Sequence, residues 1–448
     1  MLSIPAFLYL FLGSADFLVI LKGLDDPAIF FHITSVGKIE NAAERFEAEI
    51  LKQKISFLNY GLASFLLLTL MRKFIHYLTQ AYTLSFIFII LLATALISDN
   101  PVKVQTNVVH LMFGTIAAFL FAYSQIGNKN AIRNAALLVG VSTGLVAVSS
   151  LICWFFLDVD GIEFLLSDKR FGGIAGNPNV MGMVCAISIW GFSSVIAGNA
   201  VSKNQKLILF GLVACIGFVV VLTGSTTSSV LAGSAIILLL VRGIITKLSS
   251  IYKVAAAMIF TLIMASVMFY AETTRVDDSY VNSVTTALGK DATLTGRTVL
   301  WKIASEAITE RPIFGWSYDT HESVLSRPLY ETEFHHYHNG YLDILIIGGV
   351  ILGLMLTLFF VQYYLVYRKV SRFDDNVYYL LIPVAMLFTH NVSEYSFIRN
   401  NNPLWETVII CMLVMISMLT KKDEELPKPK PKKKKPTFSR SLTRYRIA

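Results

Sequence analysis

Charge is what this sequence has least of. Among its 448 residues 15% are charged and 55% hydrophobic, with a mean hydropathy of +0.61, whereas an average soluble domain carries about 25% charged residues. The length would allow two or three soluble domains, but the shortage of charge excludes that arrangement. The formal charge of +8 is not a nucleic-acid signal either. Residues 421–448 hold eleven Lys and Arg against three acids, and the other 420 residues hold 27 of each sign. All the basicity therefore sits in the tail. There, 427–436 alternates Pro and Lys before a run of four lysines, a low-complexity composition expected to be disordered. Its expected partner is the anionic membrane surface, at about 1 kcal/mol per Lys or Arg near it.

Cysteine is scarce as well. Cys153, Cys185, Cys215 and Cys411 each lie in an apolar run with no CxxC spacing, so they read as small buried hydrophobes rather than disulfides or metal ligands. The first apolar run has no charged start and no small-residue cleavage site, which makes it a span rather than a cleavable signal. No internal repeat of the transporter kind is evident.

What is abundant is long apolar runs. Crossing a hydrocarbon core about 30 Å thick takes about 20 apolar residues at about 1.5 Å of rise each. Such runs fall at 3–21, 55–71, 80–98, 105–124, 134–156, 178–197, 206–222, 229–246, 252–270, 342–365, 377–390 and 404–420. The expectation is an all-α polytopic integral membrane protein of about 12 transmembrane helices. Its parts are spans 1–9 within 1–270, a large external loop at 271–341 between spans 9 and 10, spans 10–12 within 342–420, and the tail 421–448.

Basic residues mark the cytoplasmic side of short loops. One alternate set of loops holds Arg72 and Lys73, Lys129 and Arg133, Lys203 and Lys206, Arg242 and Lys247, and Arg368, Lys369 and Arg372. The opposite set includes 98–101, with only Lys103 near it, and 223–229, which has none. Both termini are therefore expected in the cytoplasm, with the long loop on the far, periplasmic side. Loops of that length are usually functional. Within it, 295–309 reads as a helix that Pro312 stops.

The candidate chemistry lies in and around that loop. Arg297 offers a planar fork of donors suited to phosphate, and Trp301 follows one helical turn later. His335, His336 and His338 precede the tenth span, and imidazole is the side chain suited to take a hydroxyl proton near neutral pH. These three histidines have no second ligand pair beside them, so a zinc site is not expected. Asp343 and Glu394 stand at the edges of apolar runs, where ionisable groups must be paired or wet. Each candidate has a plainer reading. Arg297 could pair with Asp291, Arg170 could be an interfacial anchor, and His338 could bond a backbone carbonyl. Asn177 and Asn179 flank Pro178 at a helix start, where capping is the ordinary role. Trp301, Trp316 and Tyr341 could be interfacial aromatics.

Taken in order, five stretches resemble the O-antigen ligase and polymerase superfamily of bacterial envelope glycosyltransferases. They are RFGGIAGNPNVMG (170–182), LTGRTVLW (294–301), the Pro312–Gly315 turn, HNGYL (338–342) and NVSE (391–394). The resemblance implies transfer of an undecaprenyl-diphosphate-linked oligosaccharide to a sugar hydroxyl at the periplasmic face of the inner membrane, with no nucleotide sugar, essential metal or other cofactor. The acceptor would be another lipid-linked glycan in a polymerase, or the lipid A-core in a ligase. His338 and Arg297 are the implied catalytic residues. Arg170, Asn177, Asn179, Trp301, Asn339, Tyr341 and Glu394 are the implied substrate contacts. The form of 288–301, with NVSE and the later NNPLW (401–405), looks most like the exopolysaccharide-polymerising branch. Many members, ligases especially, carry Ser-Arg after the seventh span, and the STTS at 225–228 has no arginine. The rival readings are a ligase, a solute or bicarbonate transporter, and an inactive scaffold. A transporter should place ionisable groups in mid-span, and the polar clusters here lie at the ends of the runs.

Overall fold

The computed structural model describes residues 1–15, 42–156, 170–198, 201–248, 297–318 and 337–425, with isolated positions at 252, 259, 263 and 266. Every regular element among them is a helix. In chain order, apart from short pieces at Gly173–Ala175, Arg242–Ile245 and Asp375–Leu381, they are α1 (Ile4–Ser14), α2 (Ala42–Gln80), α3 (Tyr82–Ala93, extended by a 3₁₀ turn to Ile97), α4 (Pro101–Ser124), α5 (Ala131–Phe156), α6 (Pro178–Ala197), α7 (Lys203–Leu222), α8 (Thr226–Leu240), α9 (Arg297–Glu310), α10 (Gly340–Val370), α11 (Ile382–His390) and α12 (Pro403–Glu425).

Seven of the described helices are long and apolar enough to cross a membrane: α2 from Ile50, α4, α5, α6, α7, α10 and α12. The segments 4–14, 82–97 and 226–240 are apolar but shorter. The chain is thus a polytopic membrane protein. The expected span at 252–270 and most of the expected loop at 271–341 lie outside the described residues, as does the tail beyond 425. The short run at 377–390 is a 3₁₀ segment, Asp375–Leu381, leading into α11.

Helix α6 is central, with α5, α7 and α8 packed around it, while α12 lies on α4 and α10 on α3. Burial follows this order: 78% of the spanning window of α6 and 83% of that of α12 are covered by protein, against 28% for α7. The inner helices can pack closely because small side chains line their contacts. A side chain at Gly191 of α6, for instance, would strike the backbone of α5 at Ala136 and Gly140. Close backbone approach of this kind is how helices associate where lipid supplies no hydrophobic drive.

The start signals are repeated. Side-chain oxygens of Asn100, Asn177, Ser225 and Asn339 accept from the first free amides of α4, α6, α8 and α10. Asn402 does the same for α12, accepting from Leu404 and Trp405. Pro follows the cap in α4, α6 and α12, where its missing N–H costs nothing. Hydrogen bonds of Asn107, Asn179, Thr227, Gly340 and Asn402 to residues 391–400 bring these five N-termini to one end of the bundle, here called the site end.

Candidate functional site

At the site end a chain of polar side chains links elements far apart in sequence. Arg170, just before α6, donates from Nε to the carbonyl of Thr223 at 2.9 Å and from Nη2 to Asn179 Oδ1 at 2.7 Å. Asn179 donates in turn to Glu394 Oε1 at 3.0 Å. Glu394 Oε2 faces His338 Nδ1 at 3.2 Å. A carboxylate can only accept, so Nδ1 carries the hydrogen and Nε2 is left as the basic nitrogen. The His338 side chain is 20% exposed and that of Glu394 9%, so the imidazole is the more accessible of the pair, and Arg170 and Asn179 are half-buried as well.

Local backbone structure explains why these groups meet. His338 has a left-handed backbone, φ 51°, which few non-glycine residues adopt without support from their surroundings. The support is visible on both sides. Trp301 of α9 donates from its indole to the carbonyl of Tyr337 at 3.0 Å. Gly340 donates its amide to the carbonyls of Asn391 and Glu394, at 2.9 Å each. A side chain at Gly340 would occupy the position of Asn391 Oδ1, so only glycine lets α10 start this close to 391–394. Asn391 organises the far side: its Oδ1 accepts from the amides of Ser396 and Phe397, and its Nδ2 donates to Leu387. Thr227 at the start of α8 shares a hydrogen bond with Ser393 at 2.9 Å. The N-termini of α6, α8 and α10 therefore converge on the same few residues, and the aligned dipoles of the three helices make that region attractive to anions.

The structure brings together Arg170, Asn179, His338 and Glu394 from the sequence candidates. Asn177 and Asn339 are the caps of α6 and α10, and Asn339 also donates to Val392 at 3.2 Å. Tyr341 donates its hydroxyl to Phe388 at 2.9 Å and sets its ring edge-on to Phe397. Arg297 is the first residue of α9, and its side chain lies outside the described residues, as do His335 and His336. Asp343 is buried in the first turn of α10. Among the described residues no group of three His, Cys, Asp or Glu gathers as metal ligands do.

Two features went unnoticed in the sequence. Arg399 stands exposed beside the cluster, donating to the carbonyl of Tyr395 at 3.3 Å with its guanidinium over that ring. Its only sequence signal is a single basic residue in the polar break between two apolar runs. Burial, with Tyr318 nearby, pushes the Tyr395 hydroxyl well above its usual range, so that it stays neutral. The second feature is Glu406. It is 2% exposed within α12, and a side chain at Gly114 would strike its carboxylate. Standing in the first turn of α12, it keeps to the end of its apolar run, and one carboxylate there hardly changes the hydropathy of the helix.

Beneath the polar chain an apolar cavity of about 980 Å³ runs between α8, α10 and α11. Tyr341, Phe388 and Phe397 line its site end, and Tyr378, Val241 and Ile245 line the other. Tyr341 is three residues from His338 and Phe397 three from Glu394, so the groove's lining adjoins the polar chain, although no member of the chain lines the groove itself.

Bundle and cluster together define a polytopic membrane protein with a polar cluster at one end and an apolar groove between its helices. Residues 211–357 match the family model for O-antigen ligase, which supports placing the chain in the O-antigen ligase/polymerase superfamily. Comparison with curated proteins finds no match.

Proposed function

We propose that the chain is a membrane glycosyltransferase that moves a glycan from undecaprenyl diphosphate to a sugar hydroxyl at the periplasmic face, polymerising repeat units. The observation that carries this reading is the polar chain together with an apolar groove whose lining residues Tyr341 and Phe397 each stand three residues from a member of that chain, His338 and Glu394. A polyprenyl diphosphate has the same two parts, and no soluble sugar donor would need the second. The polyprenyl chain lies in the groove. Its diphosphate meets Arg170 and the N-termini of α6, α8 and α10. Arg297 and Arg399 are further cationic contacts for it, and Trp301 and Tyr341 flank the sugar.

In the reaction the acceptor oxygen attacks the anomeric carbon, and the bond from that carbon to the diphosphate oxygen breaks. His338 Nε2 takes the hydroxyl proton while Glu394 holds the ring through Nδ1 and stabilises the imidazolium. The charge that develops on the departing diphosphate is met by the arginines. One displacement inverts the anomeric centre. Asn177 and Asn339 act indirectly, by fixing the helix starts that carry Asn179 and Tyr341. Arg170 also offers an answer to the missing Ser-Arg: its guanidinium, bound to Thr223, lies against the turn where many members carry their arginine.

Purified protein with lipid-linked donor tests the roles. Arg170→Ala removes charge-assisted hydrogen bonds worth about 1.5–3 kcal/mol each and should weaken donor binding at least tenfold. His338→Ala should leave donor binding intact and slow single-turnover transfer by roughly two to four orders of magnitude. Higher pH should partly restore the rate, because hydroxide can take the acceptor proton. Transfer unchanged in both variants would refute the site. The glycan profile of a deletion strain separates the branches, since single repeat units indicate a polymerase and uncapped core a ligase.

A further inference from the structure

The turn that follows α9 is built into a spanning helix. Helix α10 loses helical geometry at Gly348 (φ −136°, ψ 16°) and Gly349 (φ 60°, ψ −159°). Groups freed by the break are taken up by the 311–316 turn. Val350 donates its amide to the carbonyl of Pro312 at 2.9 Å and Ile351 to that of Ile313 at 3.3 Å, while the amide of Trp316 donates to Ile346 at 2.7 Å. Gly349 has backbone angles that only glycine adopts readily, and a side chain on it would strike the Ile313 carbonyl. The turn is thus locked at the height of Gly349 on the wall of α10.

Its two sides differ. Toward α9, Trp316 donates from its indole to Ala307 at 2.9 Å, and the Arg311 guanidinium lies 4.1 Å from the Trp316 ring centre. On the other side Ile313 is 57% and Phe314 66% exposed. The next exposed side chains along α10 are Val350 at 48% and Leu354 at 60%, on a helix long and apolar enough to span. The bond from Val350 to Pro312 puts the two apolar pairs side by side. In water they would form one exposed apolar patch. The environment that already covers a spanning helix suits all four.

We propose that the 311–316 turn is a membrane-contact site. Ile313 and Phe314 enter the acyl region of the leaflet on the site side, and Arg311 and Trp316 stand at its headgroups, as cationic and aromatic residues do at that level. The partner is the bulk phospholipid of that leaflet. The consequence is positional. Helix α9 buries Leu300, Ile303 and Ala307 against Tyr337 and Ile346, so seating the turn in lipid sets the height of α9, and of His338 beside Tyr337, above the membrane. The inference needs no assignment of catalytic roles.

The test uses the full chain with its four cysteines replaced by alanine, in nanodiscs of phosphatidylethanolamine and phosphatidylglycerol. A nitroxide is attached at one position at a time: Phe314→Cys, Leu354→Cys as the lipid reference, and Ser305→Cys, on the polar exposed face of α9, as the water reference. The expected result is that the Phe314 label collides more with oxygen than with a water-soluble nickel chelate, matching the Leu354 label. A Phe314 label that behaves like the Ser305 label, or that is shielded from both relaxants, overturns the proposal.

Discussion

At the scale of single residues the centre of interest is Glu394, which joins two partners of different character. One oxygen accepts from Asn179 and so connects with Arg170, and the other faces His338. Replacing it by glutamine tests the charge while keeping the shape. Glu394→Gln can still accept from Asn179 but presents no carboxylate to the imidazole. A charge-assisted hydrogen bond contributes about 1.5–3 kcal/mol, so transfer should slow roughly 10- to 100-fold while donor affinity stays near that of the parent. Single-turnover rates and donor binding measured on the same preparation decide the matter. A variant with unchanged transfer would show that the carboxylate does not assist His338. Glu394 and His338 were both legible as candidates, because each is an ionisable residue at the edge of an apolar run. Their pairing was not, since 56 residues and a whole spanning helix separate them.

At the scale of elements the site depends on how α10 begins. Asn339 caps the helix, Gly340 donates to two carbonyls of the 391–394 turn, and α9 holds Tyr337 through Trp301. The cap and the helix start could be read from Asn-Gly ahead of an apolar run. The reason for glycine could not, because it depends on Asn391 filling the space that a side chain would need. Gly340→Ala should therefore cost about 1–3 kcal/mol, as overpacking does, although alanine is the better helix former. The expected outcome is a lower melting temperature together with slower transfer. An unchanged melting temperature would mean that α10 and 391–394 can separate freely. The break at Gly348–Gly349 is the opposite case. The apolar run 342–365 reads as one uninterrupted span, and nothing in its hydropathy shows that a distant turn supplies the hydrogen bonds its backbone gives up.

At the scale of the whole molecule the orientation proposed from loop charge can be tested on described residues. Ser305 lies on the exposed face of α9 at the site end, and Asn204 lies at the opposite end, beside Lys203 and Lys206. In a background without native cysteines, Ser305→Cys should react with an impermeant thiol reagent applied from the periplasmic side, and Asn204→Cys should not. The reverse labelling pattern would turn the site to face the cytoplasm and remove the donor from its reach. By itself the sequence determined that the chain is helical and membrane-embedded, because scarce charge and runs near 20 apolar residues leave the backbone no other way to satisfy itself in hydrocarbon. It also marked the helix start at Asn177–Pro178 and most of the candidate site residues, whose signals are local. Only the tertiary structure decided which of them meet. The Arg170–Asn179–Glu394–His338 chain, the groove beneath it and the turn set into α10 all arise from packing between helices, and the hydropathy of a single helix does not record what the next one presents to it.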